Sequence, residues 1–157
     1  MNKGEIVFKS EASLEVIEAK SEQLEGMINI SERTFEIMID IDSFEGFTSP
    51  LYKRLFNENY MESGTYQKAS FKGKIIENKN LNRNGNHVVR AKGKLNIHGV
   101  EQERIIKSSV TVKDGVLKLE STFTVFLHDH NITLPKIVQQ KISEEIQVKV
   151  KGEMARQ

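Results

Sequence analysis

A chain of 157 residues and 17.9 kDa is one domain's worth of polypeptide, able to bury about two thirds of its unfolded surface on folding. With 38% hydrophobic residues, 29% charged residues and only two prolines, the composition excludes both a disordered chain and an apolar membrane-spanning segment. The 23 Lys+Arg nearly cancel the 22 Asp+Glu, which removes any general pull toward nucleic acid or an anionic membrane unless the cations cluster locally; the absence of cysteine excludes disulfides, thiol catalysis and Cys-ligated metals.

Residues 1–9 carry no positively charged lead followed by an apolar run, so no secretory signal is encoded there. A cytoplasmic protein and an exported one whose signal has been removed both fit. From that point the chain alternates apolar and polar residues with the period of half-buried strands. A short strand is possible at Glu5 to Phe8, and noisier strand-like runs follow at Leu14 to Ala19 and Leu24 to Ile30. Arg33 to Phe44 is the clearest case, with Phe35, Ile37, Ile39 and Ile41 on one face and Glu36, Asp40 and Asp42 on the other. Ser49 to Asn59 reads instead as a helix: Ser49-Pro50 is a cap with proline at the first helical position, and Leu51/Leu55 and Tyr52/Phe56 sit at i, i+4.

Strand alternation then resumes. Phe71 and Ile75 point inward with Ala69 and Gly73, while Lys72 and Lys74 point outward. Val89 and Leu95 share a face with Ala91, Gly93 and Ile97; Val110 does so with Ile106, Ser108 and Val112; Leu119, Phe123 and Val125 with Leu117, Ser121 and Leu127; and Val148 with Ile146 and Val150. Asp114-Gly115 is a strong two-residue hairpin signal, and Asn84-Gly85 and His98-Gly99 are weaker turns of the same kind. A second, short helix is predicted over Lys136 to Ile142 after Pro135. No linker, repeat or low-complexity run interrupts the series, so residues 1–157 form one domain. The fold class is all-β: an eight-stranded antiparallel sheet that hides its edges by closing into a barrel or stacking as a sandwich, with one or two short helices.

An eight-stranded barrel is just wide enough to be filled by side chains or to hold one small ligand. Small residues at inward mid-strand positions (Gly26, Ala69, Gly73, Ala91, Gly93, Ser108 and Ser121) either leave an apolar void or serve only to bend the strands. Motifs for phosphate binding, a nucleophile elbow and a zinc-protease helix are absent. His128-Asp129-His130 is the one spacing that could put two imidazoles on one strand face, but no third ligand can be named, so no metal site is assigned. Two glycosylation-type triplets, Asn29-Ile30-Ser31 and Asn131-Ile132-Thr133, are of the kind chance supplies. Tyr52, Leu55, Phe56, Tyr60 and Met61, with Tyr66, form an aromatic-rich stretch that either packs a helix on the barrel end or edges a cavity entrance.

Three blocks of sequence carry a family resemblance. Leu55-Phe56-Asn57-Glu58-Asn59-Tyr60-Met61-Glu62-Ser63 continues through Tyr66 to Ala69-Ser70-Phe71-Lys72-Gly73-Lys74. Ala91 to Val100 ends a strand in Leu-Asn-Ile-His-Gly-Val. The third runs from Val112-Lys113-Asp114-Gly115 through Phe123-Thr124-Val125 to Pro135 and Lys141-Ile142-Ser143. Together they resemble the YceI-like family of bacterial lipid-binding proteins over most of the chain from Phe44 onward, with Gln67-Lys68 where the family usually has a proline after Tyr66. The resemblance implies a lipocalin-like eight-stranded antiparallel barrel, a periplasmic location, a possible homodimer and no catalytic role. It also implies an apolar tunnel for a polyisoprenoid, isoprenoid quinone or fatty-acid-like lipid. The lining is then expected from Phe35, Ile37, Ile39, Phe71, Ile75, Val89, Leu95, Val110, Leu119, Phe123 and Val125, with Tyr52, Leu55, Phe56, Tyr60 and Met61 at the opening. No cofactor other than bound lipid and no stable membrane insertion are expected. The alternatives are an enzyme on the same scaffold using the His128/His130 segment, and a protein-interaction module.

Overall fold

The computed structural model describes residues 3–155. Nine strands form one antiparallel sheet: β1 (Lys3–Glu11), β2 (Val16–Ser21), β3 (Glu25–Asn29), β4 (Thr34–Asp40), β5 (Lys68–Ile75), β6 (Gly85–Ile97), β7 (Val100–Lys113), β8 (Val116–Phe126) and β9 (Glu145–Ala155). Their order across the sheet is β2-β1-β9-β8-β7-β6-β5-β4-β3. Nine replaces the expected eight because β1 is a full nine-residue strand, paired with β9 from Lys3↔Glu153 to Ser10↔Ile146. Ile6-Val7-Phe8 is apolar at three successive positions, so alternation marks only a fragment of it.

The two edge strands, β2 and β3, are consecutive in the chain and separated only by Glu22, Gln23 and Leu24. Four Cα steps span at most about 14 Å, so the sheet has to curl until its edges meet. Residues 16–29 therefore make one path broken at the seam, the first half paired with β1 and the second with β4. Above the break, Lys20 and Glu45 exchange two backbone hydrogen bonds of 2.8 Å. No β2–β3 ladder closes the rest, and the result is a lipocalin-like half-barrel rather than a fully hydrogen-bonded barrel.

Turn chemistry sets the two ends apart. At the lower end Asp114 and Gly115 both have positive φ (49° and 82°), the geometry of a primed hairpin turn between β7 and β8. His98 and Gly99 (56° and 71°) do the same between β6 and β7 at the upper end. Asn84-Gly85 makes no such hairpin: β5 and β6 are joined by residues 76–84, and Asn84 Oδ1 accepts from the Asp114 N–H at 3.0 Å, tying two lower loops together. Among the inward small residues, Gly73 and Gly93 face each other so closely that a Cβ on either would collide with the neighbouring strand's carbonyl, so they provide close backbone approach, not space.

One helix, α1 (Pro50–Leu55), forms where the sequence predicts it, with the Ser49 Oγ accepting from the Tyr52 N–H at 3.2 Å. It widens into a single π-type turn over Phe56–Tyr60. The second predicted helix, Lys136 to Ile142, is only a 3₁₀ turn, Lys136–Val138, followed by a single turn in which the Ile142 N–H donates to the Val138 carbonyl at 2.9 Å, and Val138 and Ile142 pack on the upper core. Both segments lie at the upper end, together with the 12–15 turn and residues 127–144.

Candidate functional site

Inside the curl lie two adjoining apolar cavities. The upper one is about 190 Å³, walled by Phe8, Ile17, Phe44, Phe47, Leu127, Ile132, Leu134, Ile142, Ile146 and Val148 among others. The lower one is about 110 Å³, walled by Leu24, Ile28, Met38, Ile106 and Val150 among others. Ile6, Ile39, Ala69, Leu95 and Phe123 line both and form the waist between them. An apolar void of about 150 Å³ in a protein core stays dry and accepts benzene, so the upper chamber has room for a ring-sized hydrocarbon group before any side chain moves.

Every residue that the sequence places on the lining faces one chamber or the other. Phe35, Ile37, Phe71, Ile75, Val89, Val110 and Leu119 lie on the lower chamber; Val125 lies on the upper; Ile39, Leu95 and Phe123 lie at the waist. Tyr52, Leu55, Phe56, Tyr60 and Met61 line the upper chamber, and the half-buried Phe47, Tyr52, Leu55 and Ile142 carry its wall to the surface. Tyr66, in contrast, leaves this cluster: its ring packs on Gly99 and meets the His98 ring edge-on at 4.7 Å. The inward small residues divide. Ala69 opens the waist, and Ala91, Ser108 and Ser121 line the lower chamber, whereas Gly26 lines neither.

The upper wall is held by a phenylalanine cluster that no strand period announces. Phe8 on β1 stacks on Phe56 at 5.1 Å and 16°, and Phe44 and Phe47 close around the pair at 5.1 to 6.0 Å. Such aromatic pairs add roughly 0.5–1.5 kcal/mol each beyond their buried area. Phe44 and Phe47 lie in irregular chain between β4 and α1, where sequence periodicity is silent. Ile146 and Val148 had a visible signal, the alternation of β9, but belong to the same wall only through the β9–β1 pairing.

Polar groups are few: the hydroxyls of Ser10, Ser70, Ser108 and Ser121 along the lining, and two tyrosines beside the upper opening. Tyr52 donates its hydroxyl to Glu15 Oε2 at 2.6 Å, tying α1 to the 12–15 turn; that carboxylate, first through the hydrogen bond, holds the phenol above its ordinary pKa. Burial pushes the Tyr60 phenol up as well. Both hydroxyls therefore stay protonated, and the rim adds no charge to the greasy interior.

The histidine pair is pulled apart. Residues 127–130 form a 3₁₀ turn instead of continuing the strand, so His128 points outward to Glu144 at 2.6 Å while His130 is 1% exposed with Nδ1 2.9 Å from the Val100 carbonyl. His98 lies beside it, between the His130 carbonyl (2.9 Å) and Glu62 (2.8 Å), as a strut under the upper loops. Among the described residues no group of three or more His, Cys, Asp or Glu is disposed to hold a metal ion. No helix of the described residues is long and apolar enough to cross a membrane.

A curled antiparallel sheet around an apolar-lined cavity, with a helix at one end, is a lipocalin-like half-barrel in architecture. The chain belongs to the YceI-like domain family, whose sequence model matches residues 2–154. Its fold is shared with a Saccharophagus degradans structure described as a polyisoprenoid binding domain implicated in plant cell wall breakdown (TM-score 0.83, 14% identity, 98% of this chain and 94% of that one). Burkholderia cenocepacia BcnA is similar over 97% of this chain and 96% of its own (TM-score 0.80, 14% identity), and a Campylobacter jejuni YceI protein over 88% and 84% (TM-score 0.69, 13% identity). No curated protein matches the sequence at a significant level.

Proposed function

We propose that this protein binds a long apolar lipid, a polyisoprenoid, isoprenoid quinone or fatty-acid-like chain, inside the half-barrel, and carries or sequesters it without chemical change. The observation that carries the reading is the pair of chambers meeting at one waist, lined by apolar side chains and reaching the surface beside α1. Family membership and the Saccharophagus fold relative, described as binding polyisoprenoid, support it. Each methylene buried in such a space contributes about 0.8 kcal/mol, so a chain of even ten carbons has a large apolar gain to set against its ordering. The upper chamber takes the first ring-sized portion. A longer chain passes the waist when Ile39, Leu95 and Phe123 change rotamer. A periplasmic or secreted setting and a homodimer belong to the same proposal, and cell fractionation and sedimentation check them.

The test is solvent extraction of protein purified without detergent, with mass spectrometry of the extract, followed by titration of the stripped protein with geranylgeraniol. Prenyl or acyl lipid in the extract, and saturable one-to-one uptake, are the expected results. Repeated empty extracts together with no geranylgeraniol binding would overturn the proposal.

A further inference from the structure

The β7–β8 ladder runs only from Lys113↔Val116 to Ser108↔Ser121, although both strands continue upward, β7 to Val100 and β8 to Phe126. Over that stretch β7 stays paired with β6, and β8 with β9, so the two lips are held by their outer neighbours and not by each other. Three side-chain bonds span the gap instead. At its lower end the Ser121 hydroxyl donates to the Lys107 carbonyl at 3.0 Å. At its upper end the Gln102 side-chain amide donates to the Asp129 carbonyl at 2.7 Å, and His130 Nδ1 lies 2.9 Å from the Val100 carbonyl. Extended chain from Gln102 to Lys107 covers about 17 Å, the length of a slot in the wall.

Arg104 stands in this slot. It occupies an inward register position, opposite Gly93 and in alternation with exposed Glu103 and Ile105, and is half-buried. Its guanidinium lies 5.8 Å from the centroid of the Phe123 ring on the facing lip, and Phe123 lines both chambers at the waist. Beyond that ring the guanidinium makes no hydrogen bond or ion pair with any described residue. The carboxylates of the neighbouring chain are already matched: Glu103 lies 3.4 Å from Lys92, Glu101 3.9 Å from Lys94, Glu120 3.5 Å from Lys149, and Asp129 3.3 Å from His128. Over residues 100–107 and 120–129 these four outnumber Arg104 and Lys107, so what distinguishes the slot is one unmatched guanidinium beside the waist, not net charge. A guanidinium withdrawn from water without an acceptor is costly, and its fork of N–H donors fits a carboxylate or a phosphate in bidentate fashion.

We infer that the β7–β8 slot is a binding site for the oxyanion end of an apolar chain, a carboxylate or a phosphate, gripped by Arg104 while the tail passes Phe123 into the cavity. This rests on the cavity reading and narrows it to lipids with an acidic end. Titration of lipid-stripped protein with matched pairs is the test: hexadecanol against palmitate, and geranylgeraniol against geranylgeranyl phosphate, the members of each pair differing only at the polar end. At least one acidic member is expected to bind about tenfold or more tighter than its alcohol, as charge-assisted hydrogen bonds allow, and which one does so separates carboxylate from phosphate. Arg104→Gln should bring that member down to its alcohol while leaving both alcohols bound as in the parent. Arg104→Lys, which keeps the charge but not the fork, should fall between. Inorganic phosphate alone should displace neither lipid. If the parent binds the alcohols as tightly as both acids, the site is overturned and the cavity reading survives; a parent that binds none of the four overturns both. Arg104→Gln losing alcohol and acid equally also overturns the site, since Arg104 would then only brace the Phe123 wall. So does inorganic phosphate that displaces lipid as effectively as geranylgeranyl phosphate, because no tail would then be recognised.

Discussion

The lower chamber is walled almost entirely by regular strands, whereas the upper chamber draws much of its wall from the connections. Phe35, Ile75, Val89, Val110, Val112, Leu117 and Met154 pack the lower end at consecutive inward positions of β4 to β9, and Leu81 from the 76–84 loop is buried beneath them. The upper end instead gathers Ile41, Met61, Leu127, Ile132 and Leu134 from chain that belongs to no strand. The longest connection at the lower end is the nine-residue 76–84 loop, beside the two-residue Asp114-Gly115 turn; the upper end carries the much longer residues 41–67 and 127–144. Long irregular segments over a cavity can shift without breaking a ladder of backbone hydrogen bonds, and a rigid floor below keeps the cavity's shape while they do. The half-barrel is thus stabilised at one end and adaptable at the other.

Truncation gives the largest contrast. Phe35→Ala removes a buried ring that meets Phe71 at 5.0 Å, and should cost about 3–5 kcal/mol in urea unfolding. Leu55→Ala, half-buried at the upper rim, should cost less than about 2 kcal/mol. Equal losses at the two positions would erase the distinction between floor and mouth. Next comes the waist. Ala69→Leu projects new methyl groups toward space that both chambers share, so stability should hold within about 1 kcal/mol while geranylgeraniol uptake falls at least tenfold; a tightly filled core would instead lose about 1–3 kcal/mol.

A smaller effect is expected at the helix. Ser49→Ala deletes the cap of α1 and should cost about 1 kcal/mol, seen as faster amide exchange over residues 52–55 with β7 and β8 unchanged. The smallest effect sharpens the picture of the floor. Glu77 accepts from both the Arg90 N–H and its guanidinium at 2.6 Å, and these bonds hold its carboxyl down at about 2. A carboxyl depressed in the folded state contributes stability above its unfolded value, near 4.5, and loses it as pH falls toward 2. Loosening of the 76–84 loop in that window, read by exchange at the Arg90 amide and absent in Glu77→Gln, is the expected outcome.

Much of this was legible in the residues because strand alternation is local. Phe35 and Ile39 share a face of β4 whatever the rest of the chain does, and Asp114-Gly115 makes its turn from its own backbone preferences. The same periodicity placed all eleven predicted lining residues on the inner face. It missed Phe44, Phe47 and Leu134, whose inward position depends on where irregular chain is carried by distant contacts. It left open that His128 and His130 share a face while assigning them no metal; the 3₁₀ turn that ends the strand sends His128 outward and buries His130. Gly73 and Ala91 look alike as small inward residues, yet one brings two backbones together and the other lines a void. Only strand pairing across the sheet separates those roles.

The amino-acid order by itself determined an all-β chain, its inward faces, its capped helix and its two tight upper and lower turns, because each depends on neighbours a few residues apart. The tertiary structure alone decided that β1 completes a ninth strand, that residues 22–24 carry the chain across the seam, and that an apolar two-chambered space remains. A void is a property of side chains far apart in sequence failing to meet, and no local pattern records which partners stop short of one another.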